Sequence, residues 1–325
     1  MQVFTGKQYL QIDIANCFGH DKWTWIDRIA WVHTNEHDLE LLTEKADNKP
    51  QYRKAVHAYR NLDQASGHIM FLDCTASGLQ IMAALTGDHK TARAVNLINT
   101  GKREDVYQTF AEGMNQSLLV KDQVQKALIK KPLMTHFYNK GSHSDVLNPN
   151  QEEAFYETLE GLFPGAEDYM SILNRRWNPN SKFHAFRLPD GHVAYMPVTE
   201  MQDIPLKFKE YGVEVPFRHE VTTESTRSSS LVPNVTHGVD GYIVREMERM
   251  ADDQGFEILP IHDAFGFHPN YGNQVRQNFI DIMASLAESD LLSSIASDLQ
   301  GENVSLRKYS DNLADEIRNS EYMLS

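Results

Sequence analysis

The chain has 325 residues, 41% of them apolar and 10% aromatic, enough for about two ordinary domains with real cores, which excludes global disorder. No apolar run reaches the roughly 20 residues a bilayer span needs, and residues 1–12 lack the basic-then-apolar pattern of a secretory signal. Cys17 and Cys74 make neither a disulfide framework nor a zinc pattern, which suits a reducing cytosol. The formal net charge is −14, so a nucleic-acid role requires basic residues gathered in one cleft or positive charge borrowed from a partner.

In chain order, the apolar spacing of Ile29, Trp31, Val32 and Leu39 predicts a helix over residues 25–42. Ile69-Met70-Phe71-Leu72 reads as a buried strand with Asp73 at its end, and Thr75 or Ser77 is placed to cap a helix opening at Leu79. A carboxylate at the end of a buried strand can hold a metal on a rigid element, although an Asp there can equally serve the next helix as a cap. Residues 90–119 and 151–173 read as helices, with loops at 141–150 and 178–181.

Between them, Lys126, Lys130, Met134 and Tyr138 recur every four residues and form one slowly drifting helical stripe. Two ammonium groups on such a stripe can hold a triphosphate, with a ring at the far end for a base or sugar. A solvated basic face is the ordinary meaning of the same lysines, and Pro132 should bend the helix. Residues 193–215 alternate and are punctuated by Gly212, which predicts a β-hairpin. Residues 225–230, with Pro233 after them, form the clearest linker, and 241–252 and 273–292 read as helices.

Ile258-Leu259-Pro260-Ile261 and Ala264-Phe265-Gly266-Phe267 flank His262-Asp263, as in a hairpin with the carboxylate at its tip; Pro260 confines its strand to an edge or a bulge. The element inventory is α+β, with few strands and many helices.

Asp73, the lysine–tyrosine stripe and His262-Asp263 match, in order and content, motifs A, B and C of the right-handed polymerases. The chain resembles the single-subunit phage and mitochondrial RNA polymerases along nearly its whole length. Further matches lie at Ile12–Gly19 with Asp21-Lys22, Ala94–Leu97, Asp105-Val106-Tyr107, Pro189-Asp190-Gly191 and Asn234–His237 with Asp240-Gly241.

The resemblance implies a DNA-directed RNA polymerase that extends RNA from ribonucleoside triphosphates on a DNA template. Asp73 and Asp263 would be ligands of two Mg2+ ions, the arrangement that activates a 3′ hydroxyl and stabilises leaving pyrophosphate. Lys130 would contact the triphosphate, with Lys126 helping where relatives carry arginine. Tyr138 would sense the ribose 2′ hydroxyl, His237 the nascent pair, Tyr107 the template and nucleotide site, and His262 would position Asp263. Gly78, five residues after Asp73, stands where DNA-synthesising relatives carry a glutamate that blocks the 2′ hydroxyl, and Ala264 replaces their glutamate after His-Asp; both favour RNA synthesis.

The same resemblance implies a right-hand polymerase palm at residues 1–87 and 225–325, fingers at 88–188 and a promoter-reading hairpin at 189–224, with thumb and amino-terminal domain absent. The family's Asp-x-x-Gly-Arg motif and aromatic carboxy-terminal foot are missing, and Tyr138-Asn139 replaces the usual Tyr-Gly. The expectation is therefore the catalytic subunit of a split, heterodimeric phage enzyme in the cytoplasm of an infected bacterium. Its partner would supply the amino-terminal half and dock near residues 1–19. The alternatives are a DNA polymerase or primase-like relative, a catalytically silent DNA-binding transcription subunit, and a metal phosphohydrolase built on His-Asp.

Overall fold

A computed structural model of the chain describes residues 1–225 and 230–325; most of the expected 225–230 linker lies outside the described residues. The chain opens with α1 (Gly6–Ala15), entered through a capping box in which Thr5 and Gln8 satisfy each other's backbone N–H groups. Then come α2 (Trp25–Thr34) and α3 (Lys49–Arg60), each capped by a side-chain oxygen, of Thr24 and Asn48. The predicted helix over 25–42 stops early, because beyond Asn35 the chain continues only as short 3-10 turns. Leu10, Ile14, Val32, Tyr52 and Val56 close a small core among these three helices.

Next come β1 (Met70–Asp73), α4 (Ser77–Thr86), α5 (His89–Ala94), α6 (Val106–Ser117), α7 (Lys126–Phe137), α8 (Pro149–Leu162) and α9 (Pro164–Asn174). Every residue of α4 from Leu79 to Thr86 is buried, the pattern of a helix with protein on all sides. Its expected cap is absent: Ala76, with φ 67°, stands at the N-cap, and the Thr75 hydroxyl donates instead to the Val95 carbonyl at 2.8 Å. The stretch predicted as one helix over 90–119 is two, parted by a turn where Asn96 and Gly101 take positive φ. Residues 151–173 likewise split at Pro164, which starts a new helix at the position where a missing N–H costs nothing.

The chain then forms β2 (Phe183–Arg187) with β3 (Val193–Pro197), and β4 (Thr199–Phe208) with β5 (Val213–Thr222), two separate antiparallel pairs. The single hairpin expected over 193–215 is thus half of each pair, with Gly212 (φ 64°) in the second turn. Helix α10 (Leu231–Asp253) begins ten residues before the predicted 241, and Pro233 is accommodated in its first turn. After it come β6 (Ile258–Ile261), β7 (Ala264–Phe267), α11 (Gly272–Glu288), α12 (Leu291–Gln300) and α13 (Leu313–Ile317).

The central sheet has the order β1-β7-β6, all antiparallel, so Pro260 does lie on an edge strand. Met70 and Leu72 point into the main core with Phe265 and Phe267, while the alternate residues Phe71 and Asp73 face the other way. Gly266 lies opposite Phe71, where a Cβ would stand 2.6 Å from the ring, so only glycine lets the two strands close.

One buried cation network ties the ends of the chain together. Arg276 on α11 donates to Glu321 at 2.7 Å and to the Gln2 carbonyl at 3.0 Å, its guanidinium 4.9 Å from the Trp25 ring. Arg28, fully buried, donates to the carbonyls of Asp21 and Trp23 and to Asn16, and burial pulls its pKa down to about 9. Helix α1 buries every residue from Tyr9 to Ala15, while Gln2, Val3, Thr5 and Lys7 before and within its first turn stay exposed.

Candidate active site

Asp73 ends β1 opposite Ala264, and Asp263 occupies the β6–β7 turn one residue earlier. The ladder runs on past the strand ends, because the Cys74 N–H donates to the Asp263 carbonyl at 3.1 Å. Two carboxylates far apart in sequence are thereby fixed side by side on a rigid sheet. His262, at φ 56°, makes the tight turn that puts Asp263 at the tip.

Both line one cavity of about 330 Å3. Asp73 opens toward solvent in this cleft, yet its pKa is pushed up to about 6, first by the surrounding protein and then by the charge of Asp263. Asp240 on α10 is raised too, by burial and then by Asp263, with His237 and His262 opposing. The cleft therefore holds more negative charge than its surroundings solvate well, a condition that a bound cation relieves. Among the described residues no cluster of three or more His, Cys, Asp or Glu has metal spacing. A divalent ion held by Asp73 and Asp263 would take its other ligands from water and substrate oxygens, the habit of Mg2+.

The opposite wall comes from α6 and α7. Lys130, Met134 and Tyr138 of the predicted stripe face the cavity, with Tyr138 as the C-cap of α7. The Lys130 ammonium lies 5.9 Å from the centroid of the Tyr107 ring, which also lines the cleft. Burial, then Asp105, raises the Tyr107 hydroxyl, and burial, then Asp240, raises that of Tyr138; both stay neutral donors at physiological pH. His237 lies outside the lining but stacks on Tyr138 with ring centroids 5.5 Å apart. Lys126 is placed differently from expectation. Its ammonium pairs with Asp105, the N-cap of α6, so it joins the two helices and is not on the cavity wall.

Gly78 lines the cleft beside Thr236; a Cβ there would meet only the Thr236 methyl, at 3.7 Å. The position is open.

Several lining residues were not among the predicted site residues. Asp21 and Lys22 reach the cleft because Arg28 holds the carbonyls on either side of Lys22, and their only sequence signal is the family-like stretch they belong to. Arg103 and Asp105 enter from the turn before α6, and Arg103 has no local signal at all. Ser325 lines the cavity as well. Its N–H donates to the Asp73 carbonyl at 2.9 Å, Leu324 bridges to Cys74, and buried Gln80 donates to the Met323 carbonyl at 3.0 Å. Tyr322 stacks on Trp25, with centroids 5.4 Å apart. The segment read as lacking an aromatic foot is thus packed along the strand that carries Asp73.

A family model of DNA-dependent RNA polymerase matches residues 4–147. A probable DNA-directed RNA polymerase of Gelasinospora sp. (strain G114) is 24% identical over 83% of this chain and 41% of its own length. The DNA-directed RNA polymerase of Pseudomonas phage phiKMV is 25% identical over 85% of this chain and 42% of its own. A mitochondrial DNA-directed RNA polymerase 1 of Arabidopsis thaliana is 26% identical over 89% and 36%. The chain therefore spans about two fifths of the length of these relatives. Family model and relatives alike support the DNA-dependent RNA polymerase family for this chain.

Proposed function

We propose that the chain is the catalytic part of a DNA-directed RNA polymerase, with palm, fingers and hairpin divided as the sequence suggests, working in the cytoplasm of a phage-infected bacterium. The observation that carries this reading is the meeting of Asp73, Asp263, Lys130, Tyr138 and Gly78 in one 330 Å3 cleft, from three separate stretches of chain. The reaction joins the RNA 3′ oxygen to the α-phosphorus of a ribonucleoside triphosphate and releases pyrophosphate, the hydroxyl proton leaving to solvent. Mg2+ held by Asp73 and Asp263 would supply charge neutralisation at both the attacking and the leaving oxygen.

The chain's own groups do the rest. Lys130 places a positive charge where the triphosphate must lie, held near the Tyr107 ring. Tyr138, backed by the His237 ring, presents a neutral hydroxyl to the sugar, and Gly78 leaves room for the 2′ oxygen.

The net charge of −14 favours a partner that contributes positive charge, and we propose a second polypeptide that grips the template–product hybrid, since phosphate contacts dominate that affinity. The test is extension of an RNA primer on a DNA template. The isolated chain is expected to be inactive or very weak, and a polypeptide carrying Asp-x-x-Gly-Arg to restore ribonucleotide addition in Mg2+. Processive synthesis by the isolated chain would refute the two-polypeptide arrangement, and preferential use of deoxynucleotides by the assembled enzyme would refute the RNA assignment.

A further inference from the structure

The β4–β5 ribbon is amphipathic in a way its sequence conceals. Its register sets Ile204 opposite Phe217, Leu206 opposite Val215 and Phe208 opposite Val213, so these six side chains share one face. Each is 41–51% exposed. The other face carries charges that satisfy one another: Arg218 with Asp203 at 2.9 Å, and Lys207 with Glu214 at 3.6 Å. Pro205 lies opposite Pro216, and neither has an N–H, which blunts the ribbon's edges against an added strand. What remains for a partner is the apolar face.

We propose that this face docks on the second polypeptide of the polymerase, against an apolar surface rimmed by lysine or arginine; the proposal rests on the two-polypeptide reading above. DNA, the occupant expected for this insertion, fits the face poorly. Nucleic acid is held by cations and read by hydrogen bonds, whereas this face offers aliphatic and aromatic side chains. Residues 199–222 hold five acidic against three basic groups, and two of those three are already paired.

A second copy fits poorly as well. Two ten-residue strands cover roughly 330 Å2 in projection, well below the ~800 Å2 per partner of an ordinary stable interface, and each copy brings a charge of −14. So small a face works as one part of a larger contact. The relatives' remaining three fifths of length provides a body large enough to make it, and an acidic rim favours a basic one.

The test places a benzophenone amino acid at position 217, and separately at 218 on the opposite face, in the enzyme assembled with the Asp-x-x-Gly-Arg polypeptide on promoter DNA. Position 217 is expected to label the polypeptide and position 218 not to. In a binding titration of the two polypeptides, Leu206→Glu with Phe217→Glu is expected to raise the dissociation constant at least ~10-fold, about 1.4 kcal/mol. Asp203→Ala with Arg218→Ala should shift it less than about threefold, under 1 kcal/mol on the same scale. An unchanged melting temperature in the doubly charged variant shows that the effect is not unfolding. Labelling of DNA from position 217, an unchanged dissociation constant in that variant, or self-association of the isolated chain that the same substitutions abolish would each overturn the proposal. Failure of the two-polypeptide reading is separately visible, as processive synthesis by the isolated chain with the ribbon intact.

Discussion

The β1–β7 corner and the β4–β5 ribbon are both antiparallel pairs, yet the surrounding protein constrains them in opposite ways. At the corner, Met70, Leu72, Phe265 and Phe267 are buried, Gly266 admits Phe71, and residues 323–325 bond to the strand that carries Asp73. Along the ribbon nearly every side chain is exposed and the strands pair only with each other. A rigid frame is what catalysis on two carboxylates needs, because sub-ångström placement sets the rate. The free ribbon contributes little to stability and is available for recognition.

The largest contrast should appear in folding. Arg276→Met leaves the Glu321 carboxylate buried without its partner, and breaking such a pair costs about 3–5 kcal/mol. Urea denaturation should show that loss, while Leu206→Glu on the ribbon should leave the midpoint unmoved. If the two variants unfold alike, the division between frame and ribbon is wrong.

Across the cleft from the corner, Lys130→Ala would remove the charge-assisted contact to the triphosphate proposed for it, worth about 1.5–3 kcal/mol. kcat/KM for ribonucleotides is expected to fall about 10- to 100-fold by the corresponding relation, whereas Lys126→Ala should act mainly through the α6–α7 junction and change stability more than kcat/KM. Equal kinetic losses in both would return Lys126 to the cavity.

Tyr138→Phe should retain synthesis but relax sugar choice by about tenfold, the worth of one hydrogen bond of ~1.4 kcal/mol. Competition between ribo- and deoxyribonucleotides reads this directly, and an unchanged ratio would remove Tyr138 from that role.

The smallest effect concerns pH. Asp73 has its pKa raised to about 6 in the folded chain, against an unfolded value near 3.8. Between these values the folded state holds the extra proton, so stability falls as pH rises through that window and stays lower above it. Asp73→Asn is therefore expected to melt slightly higher than the parent at pH 7–8 in metal-free buffer. The difference should vanish below about pH 4, where both states are protonated. Because Asp73 opens to solvent, the gain should be a few degrees at most. A parent chain that melts above the variant across this range without metal would contradict the crowding of negative charge in the cleft.

How much of this was legible in the sequence follows from how local the determinants are. The β1 strand, the His262-Asp263 tip, the edge position of Pro260 and the stripe from Lys130 to Tyr138 rest on apolar runs and short spacings, and the structure has all of them. Helix ends were less legible. The break near Asn96 has a signal in Asn96 and Gly101, residue types that take positive φ readily, but the N-cap at Ala76 depends on a positive φ that its residue type does not announce.

The site residues that escaped notice are brought in by long-range packing. Lys22 depends on Arg28 below it, and Ser325 on a backbone bond to a strand some 250 residues away. The ribbon's apolar face was hidden because a hairpin over 193–215 fixes neither strand ends nor register, and register decides which residues share a face.

Asp263 bears the most on the central claim, since the family model ends at residue 147 and only the fold sets this carboxylate beside Asp73. The decisive measurement is single-turnover ribonucleotide addition in Mg2+ by the assembled enzyme, parent against Asp263→Asn, with matched melting curves. The account predicts a loss of several orders of magnitude in a variant that folds normally. Addition within a few fold of the parent rate would contradict a reaction centre built on these two strands.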